Sequence, residues 1–306
     1  VVPKSYTQAA NEVRVTQAFL ENFGGDNVRF LARGFSVPGN HLGQASHGYR
    51  WPYGPVALVA PFNFPLEIPV LQLMGALFMG NKPVVKGTSS VATVLEQFVR
   101  LLHVAGMPKE DLDLIHCDGP VMNKLILDAP IRVTQFTGSS RVAEKLSRET
   151  HGKVKIEDAG FDWKILGPDV QDEEYVAWQC DEDAYACQGQ KCSAQSILFM
   201  HKNWSKTKLL DTLKARASTR KLEDLTIGPV LTQTTESMLA HTEKLLAIPG
   251  ARLLFGGKEL ANHTIPKQYG AIEPTAVFVP IEEICKPENF ATVTTEIFGP
   301  FQVVTE

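Results

Sequence analysis

The alternation of strand-like and helix-like segments between residues 55 and 158 constrains the fold of this 306-residue chain most strongly. The apolar run Pro55–Ala60 predicts a buried strand. Ser89–Ala105 predicts an amphipathic helix, because its apolar residues recur at i, i+3 and i+4. The same reasoning predicts strands at 83–86, 113–116, 133–136 and 154–157, and helices at 66–80, 121–127 and 139–150. Repeated β-α-β units favour an α/β fold with a parallel sheet covered by helices.

The segments on either side follow other patterns. Residues 1–27 indicate peripheral helix, and the Gly- and aromatic-rich residues 28–52 predict an extended hairpin that stands away from the sheet. Beyond residue 158 the predicted elements are helices near 172–187, 205–217 and 235–247, and strands at 197–200, 276–279 and 301–306. We therefore place a boundary near 158–162 and expect two domains, 1–158 and 159–306.

Charge and apolar patterning exclude several classes of partner. The formal net charge of −4 gives no broad basic field, so neither nucleic acid nor an acidic membrane surface is expected as a partner. The longest apolar stretch, Ile68–Met79, is interrupted by polar and helix-breaking residues and is too short to span a bilayer.

The five cysteines show no regular spacing, and their number is odd. A long chain with this usage fits a reducing compartment better than a secreted disulfide scaffold. Neither a CxxC pair nor an HExxH motif occurs in the sequence, so no metal site is expected.

Cys192 has the most distinctive setting of the five. It follows the turn-forming Gly189-Gln190-Lys191 and precedes the small residues Ser193 and Ala194. Such a setting exposes a thiol and supplies backbone N–H groups that favour a thiolate nucleophile. The alternative is a buried structural cysteine, which is the commonest role of an unpaired thiol and the one expected for Cys187.

Two polar residues follow predicted strands. Glu157 ends the strand 154–157, where open α/β sheets place their active sites, and could act as a general base. Asn63 lies between two aromatic residues just after the first strand, and its amide could face a reacting oxygen. A solvated carboxylate and a turn-forming asparagine are the respective alternatives.

Two further turns are candidates for binding a cofactor. Gly138-Ser139 joins a strand to a helix start that could hold a pyrophosphate, although no GxGxxG motif occurs and an ordinary serine N-cap is the alternative. The segment 296–300, Glu-Ile-Phe-Gly-Pro, would by itself be a strand entering a turn.

Taken together and in this order, these motifs resemble the aldehyde dehydrogenase superfamily from about residue 50 to residue 306. The motifs are PFNFP, KPVVK, FTGS, a strand-end glutamate, GQKC and EIFGP. GQKCSA and EDAGFDWKILGPDV are most similar to the plant-type branch of the pyrroline-5-carboxylate (glutamate semialdehyde) dehydrogenases. The resemblance implies a Rossmann-type cofactor domain followed by an α/β catalytic domain whose carboxyl-terminal part is missing.

The resemblance assigns catalytic roles to three residues: Cys192 as nucleophile, Glu157 as the base that activates the deacylating water, and Asn63 as half of the oxyanion hole. It places Ser193 beside the substrate. It places the cofactor on a larger set, which is Pro61, Phe62, Lys86, Ser89, Gly138, Ser139, Val142, Glu296 and Phe298.

The implied activity is NAD-dependent oxidation of an aldehyde to a carboxylate, with L-glutamate 5-semialdehyde as the expected substrate in proline degradation. The alternatives are another semialdehyde dehydrogenase of the superfamily, such as one for succinate semialdehyde, or a truncated non-catalytic product. The resemblance also implies a mitochondrial matrix location and a homo-oligomer that assembles through the hairpin 28–52. We expect the chain to be an internal piece of a longer protein.

The sequence departs from the family pattern at Ser89. Many members carry a glutamate three residues after the cofactor-binding lysine, here Lys86, where it contacts the ribose diol. The choice between NAD and NADP is therefore open, although the resemblance favours NAD.

Replacing Ser89 by glutamate is expected to lower the use of NADP more than the use of NAD. A carboxylate at this position would repel a 2′-phosphate and accept hydrogen bonds from a ribose diol. The measurement is kcat/KM for each cofactor in the full-length protein. An equal effect on both cofactors would show that Ser89 does not face the ribose.

Overall fold

The computed structural model describes residues 2–306, which divide into two compact units. One contains Ala9–Asp158, and the other contains Pro3–Gln8 together with Ala159–Glu306. Residues 3–8 thus group with the carboxyl-terminal half of the chain, whereas the sequence placed them with 1–158. Within residues 2–306, no helix combines the length and the apolar character needed to cross a membrane.

The amino-terminal region is helical and leads into a short hairpin. Helices α1 (Tyr6–Glu21) and α2 (Val28–Leu31) precede strands β1 (Phe35–Pro38) and β2 (Ala45–Gly48). The two strands pair antiparallel. The predicted hairpin of residues 28–52 is therefore correct for 35–48, but it was wrong for 28–31, which form a helical turn.

Five parallel strands form the sheet of the first unit, which confirms the predicted α/β class. Their order is β5-β4-β3-β6-β7. The strands are β3 (Pro55–Val59), β4 (Lys82–Lys86), β5 (Asp113–Leu114), β6 (Val133–Thr137) and β7 (Val154–Glu157). The helices between them are α3 (Glu67–Phe78), α4 (Ala92–Val104), α5 (Gly119–Asp128) and α6 (Ser140–Glu149).

Successive side chains of β3 point to opposite faces of the sheet, and each face has its own hydrophobic cluster. Val56 and Leu58 pack with residues of α3 and α4, including Leu73 and Leu95. Ala57, which points the other way, packs with residues of α5 and α6. Because successive strand residues face opposite sides, a strand buried on both faces is a continuous apolar run, as the sequence of β3 predicts.

The second unit is built on a mixed sheet with the order β10-β11-β12-β9-β8. Only β10 runs antiparallel to its neighbour. The strands are β8 (Asp162–Leu166), β9 (Gln195–Met200), β10 (Arg252–Phe255), β11 (Thr275–Phe278) and β12 (Phe301–Thr305). The helices are α7 (Glu173–Tyr185), α8 (Leu209–Ala217), α9 (Thr235–Leu246), α10 (Ile281–Ile284) and α11 (Pro287–Val293).

The sequence did not predict β8, β10, α10 or α11. Strand β8 lies at the edge of its sheet, and its Trp163 and Ile165 are 65% and 64% exposed. Its sequence alternates between polar and apolar residues over only four positions, 162–165, which is the shortest run that indicates a half-buried strand.

A buried polar network connects α7 to the strands of the second unit. The Tyr185 hydroxyl donates to the Thr275 carbonyl (3.2 Å) and accepts from Gln302 Nε2 (2.7 Å). Gln195 Nε2 in turn donates to Gln302 Oε1 (2.6 Å). Because burial deprives these groups of water, each hydrogen bond compensates a desolvation cost.

Replacing Tyr185 by phenylalanine is expected to lower the free energy of unfolding by about 1–3 kcal/mol, since Gln302 Nε2 loses its acceptor in the core. Tyr175, on the same helix and exposed, is the matched control, and its replacement by phenylalanine should change the free energy by less than about 0.5 kcal/mol. The measurement is denaturant-induced unfolding. Equal stability of the two variants would contradict the network's role.

Candidate active site

The first group of candidate residues lies at the carboxyl-terminal edge of the parallel sheet. After β3 the chain turns through Pro61–Pro65, where Asn63 is only 3% exposed. Its Oδ1 atom is buried and has no hydrogen-bond partner among residues 2–306. The Ala60 N–H donates to the Lys86 carbonyl (3.0 Å), so the ends of β3 and β4 are joined. The structure thus brings the loops of Asn63 and Lys86 together.

Ser89 lies in a single helical turn, Ser89–Val91, directly after this edge and is exposed. The preceding Thr88 donates its hydroxyl to the Ala60 carbonyl (3.3 Å), which fixes the turn against the end of β3. Pro61 and Phe62 are half-buried in the neighbouring loop. These cofactor candidates therefore share one end of the sheet.

The loops after β6 and β7 lie side by side at the same edge. Thr137 pairs with Glu157 in the parallel register, and the Gly138 N–H donates to the Glu157 carbonyl (3.1 Å). Glu157 is exposed, and β7 is an edge strand with an exposed face. The predicted strand 154–157 is thus present, and Glu157 at its end is open to water.

Ser139 precedes the first residue of α6 in extended conformation, but its hydroxyl makes no capping hydrogen bond. Ser139 therefore occupies the N-cap position without a capping bond from its side chain. Since the first N–H groups of a helix have no partner within the helix, the start of α6 retains donors for an anion. Val142 is half-buried in the first turn.

Helix α3 is capped differently, by a residue far away in the sequence. Glu12 of α1 is buried, and its Oε1 accepts from the N–H groups of Leu66 (2.8 Å) and Glu67 (3.1 Å). This carboxylate satisfies the start of α3 and so supports the loop that carries Asn63. The sequence analysis missed Glu12, because a cap from 54 residues away leaves no local pattern.

The second group of candidates lies in the second unit and begins with an unusual turn. Cys187, Gln188 and Gly189 have φ values of 56°, 57° and 65°, so three successive residues adopt the left-handed conformation. Non-glycine residues rarely do so, and each costs on the order of 1–3 kcal/mol. This turn leads directly to the loop 190–194 and then to β9. Cys192 is half-buried, and Ser193 is exposed.

Glycines allow backbone segments to approach this loop closely. A Cβ atom on Gly189 would lie 2.0 Å from the Gly299 carbonyl oxygen, and one on Gly160 would lie 2.5 Å from that of Cys192. No side chain fits at either position. The structure thereby holds the GQKC and EIFGP segments in direct backbone contact.

A cavity of the second unit is lined by both segments, with Lys191, Glu296 and Phe298 among its walls. Phe298 is itself left-handed (φ 52°), and the segment 295–298 is irregular rather than a strand. His241 of α9 also lines the cavity. Burial lowers the pKa of His241 to about 4, which keeps its ring neutral near pH 7.

Burial also shifts the pKa values of groups near the loop. Desolvation lowers the pKa of the Lys191 ammonium, whose Nζ donates to the Glu182 carbonyl (3.1 Å). Desolvation raises the pKa of the Cys180 thiol to about 11, which disfavours its thiolate. Cys187 is buried as well, whereas Cys285 is exposed.

Each unit therefore gathers its own candidates. The first brings together the loops of Asn63, Lys86, Gly138 and Glu157, and the second brings Cys192 together with the segment of Glu296 and Phe298. In the part of the chain that the structure describes, no group of three or more His, Cys, Asp or Glu side chains could hold a metal ion.

The sequence profile of the aldehyde dehydrogenase family matches residues 2–306. Delta-1-pyrroline-5-carboxylate dehydrogenase 12A1, mitochondrial, of Arabidopsis thaliana is 69% identical over an alignment of 307 positions, which covers 100% of this chain and 55% of the relative. A Linum usitatissimum protein named "Probable aldehyde dehydrogenase" is 68% identical over 100% of the chain and 56% of its own length.

Among solved structures, 3,6-anhydro-L-galactose dehydrogenase in complex with NAP is similar, with a TM-score of 0.84 and 25% identity. The alignment covers 99% of this chain and 63% of the other. The chain thus spans somewhat more than half the length of the relatives that it matches.

Replacing Gly189 by alanine is expected to destabilise the protein by more than about 3 kcal/mol and to lower turnover by about 10²-fold, because the added Cβ drives Gly299 away. The matched control is Gly152→Ala. Gly152 has a similar φ of 78°, and a Cβ there would meet nothing within 4 Å. The control should cost only the conformational strain, about 1 kcal/mol. Stability is measured by thermal unfolding and activity by turnover, both in the full-length variants. Equal losses in Gly189→Ala and Gly152→Ala would show that the contact between Gly189 and Gly299 is unimportant.

Proposed function

The chain belongs to the aldehyde dehydrogenase family, and on that premise we propose that the protein oxidises an aldehyde to a carboxylate with Cys192 as the nucleophile. The family match over residues 2–306 is the observation that carries this proposal.

In the first step the Cys192 thiolate adds to the carbonyl carbon of the aldehyde and forms a thiohemiacetal. The negative charge moves to the aldehyde oxygen, where the Asn63 amide and the Cys192 backbone N–H donate to it. The burial of Asn63 supports this role, since a fixed donor stabilises a developing charge without reorganisation. Loss of one such donor costs about 10²–10³-fold in rate.

A nicotinamide dinucleotide, when bound, supplies the hydride acceptor for the oxidation step. The residues present fit such a group: Lys86 for the adenosine ribose, the start of α6 at Gly138 and Ser139 for the pyrophosphate, and Glu296 and Phe298 for the nicotinamide ribose and ring. The Ser139 hydroxyl makes no capping hydrogen bond, which supports the pyrophosphate site, because the first N–H groups of α6 remain available to an anion. Loss of hydride converts the thiohemiacetal on Cys192 into a thioester.

Glu157 completes the reaction as a general base. Its carboxylate takes a proton from water, the resulting hydroxide attacks the thioester carbon, and the C–S bond breaks to release the carboxylate product and the Cys192 thiolate. The exposure of Glu157 supports this role, because the reacting water must reach it. A CoA-acylating reaction is disfavoured, since it would not need this base.

We propose L-glutamate 5-semialdehyde, formed from pyrroline-5-carboxylate, as the substrate in proline degradation. The support is the 69% identity to the Arabidopsis pyrroline-5-carboxylate dehydrogenase. Comparing kcat/KM of the full-length protein for glutamate semialdehyde and succinate semialdehyde tests this. Preference for succinate semialdehyde would favour the alternative semialdehyde activity, and no turnover of either would favour a non-catalytic product.

Three further assignments accompany this proposal. NAD is proposed as the preferred cofactor, and the mitochondrial matrix as the location, since the Arabidopsis relative is named as mitochondrial. Assembly of a homo-oligomer is proposed through the hairpin β1–β2, whose Phe35 and Val37 are exposed apolar residues. Residues 1–158 are proposed as the cofactor domain and 159–306 as the catalytic domain.

Replacing Glu157 by glutamine is expected to leave acylation of Cys192 intact and to block hydrolysis of the thioester. Rapid mixing with NAD and aldehyde should then give a burst of NADH close to one equivalent per active site. The steady rate after the burst should fall by about 10²–10⁴-fold, which is the usual contribution of a general base.

A slowed burst that recovers as the pH is raised would mean that Glu157 also deprotonates Cys192, since more thiolate then forms without help. Normal steady turnover would contradict the proposal and make Glu157 a solvated strand-end carboxylate. Glu149, an exposed carboxylate at the end of α6, is a suitable control, and its replacement by glutamine should leave both phases unchanged.

A further inference from the structure

We propose that Gln190 is the positioning residue of the nucleophile loop, in that its side-chain amide fixes the main chain that carries Cys192. Gln190 is 1% exposed and lies two residues before Cys192. The inference rests on the proposed function, since it treats Cys192 as the nucleophile. It assigns Gln190 no contact with the reacting atoms.

The amide of Gln190 uses both its acceptor and its donors. Oε1 accepts from the Leu231 N–H (2.8 Å), while Nε2 donates to the carbonyls of Pro229 (3.2 Å) and Cys187 (3.4 Å). Turning the amide over would set its NH₂ group against the Leu231 N–H and its oxygen against two carbonyls. The hydrogen-bond pattern therefore allows only one orientation.

These bonds tie the loop to a segment about 40 residues away in the chain. Pro229 and Leu231 flank Val230, which is fully buried in the core of the second unit. The loop is thus anchored to a part of the structure that cannot move without disturbing that core. A backbone turn alone has no such anchor.

The bond from Gln190 Nε2 to the Cys187 carbonyl acts on the left-handed turn itself. The Cys187 carbonyl accepts from both the backbone N–H (3.1 Å) and the side chain of Gln190. Because left-handed Cys187 and Gln188 are conformationally unfavourable, surrounding contacts must hold them in place. Gln188 contributes one more bond, from Nε2 to the Leu225 carbonyl (3.0 Å), but it does not reach the residues that follow the turn.

The chemistry of the site explains why glutamine is suited to position 190. Glutamate would lack both donors and would direct a carboxylate at two carbonyl oxygens, and methionine would have the right length without any polar group. At 1% exposure, water cannot replace the lost bonds. A shift of about 1 Å in a reacting group can cost on the order of 10²-fold in rate.

The test uses full-length Gln190→Met and, in case that variant folds poorly, Gln190→Glu. The control is Gln302→Met, which removes an equally buried glutamine that bonds Tyr185 and Gln195 in the same unit. Three quantities are measured: the thermal unfolding midpoint, kcat with KM for NAD, and the pH profile of Cys192 alkylation by iodoacetamide.

For the Gln190 variants we expect kcat to fall by about 10–100-fold, because the displaced loop no longer holds the Cys192 thiol in place. KM for NAD should rise by a smaller factor than kcat falls, because Lys86, Gly138 and Ser139 belong to the first unit. The pH at which Cys192 alkylation reaches half its maximal rate should move upward, because the proposed thiolate depends on backbone N–H groups of this loop and a displaced loop would withdraw them. Gln302→Met should lower the unfolding midpoint and leave kcat and the alkylation profile unchanged.

Two results would overturn the proposal. One is a Gln190 variant whose kcat and alkylation profile equal those of the wild type. The other is a Gln302→Met variant that shows the lowered kcat and the shifted alkylation profile expected for the Gln190 variants. The alkylation profile does not depend on turnover. If the wild type oxidises no aldehyde but the profile still shifts in the Gln190 variants alone, the proposed function fails and the positioning role of Gln190 is supported.

Discussion

The parallel pairing of β3 with both β4 and β6 is the constraint on which the first unit depends. Val59, near the end of β3, pairs with Lys86 on one side and with Phe136 on the other. Parallel strands deliver their following loops to one edge, so residues separated by up to a hundred positions arrive there together. The grouping of Asn63, Lys86 and Glu157 follows from strand order rather than from any direct contact among their side chains.

The second unit brings its candidate site residues together in a different way. Here the main chain itself is drawn into close contact, at Gly189 against Gly299 and at Gly160 against Cys192. Such contacts need residues without a Cβ atom, and the left-handed turn before Cys192 needs bonds that compensate its strain. The first unit thus positions its candidate residues by regular sheet geometry, and the second by an irregular loop held by its surroundings.

These two arrangements explain what the sequence could predict. Repeating strands and helices have a local period, so the elements of the first unit and the strand-end positions of Asn63 and Glu157 were recognisable. Strand β8 alternates over only four residues and was missed. The cap from Glu12 to α3 and the bonds of Gln190 to Pro229 and Leu231 join residues 39–55 positions apart, and polar contacts over that separation have no periodicity. The roles of the candidate residues came from resemblance, not from spacing.

The contact between Gly189 and Gly299 has a mechanical consequence. Two peptide groups that touch directly have no side-chain rotamer between them that could absorb a displacement. The loop of Cys192 and the segment 296–299 therefore fluctuate as one body rather than two. Any molecule that binds to the segment 296–299 therefore reduces the conformational entropy of the Cys192 loop. By linkage, ordering of the Cys192 loop strengthens the binding of that molecule to the same extent.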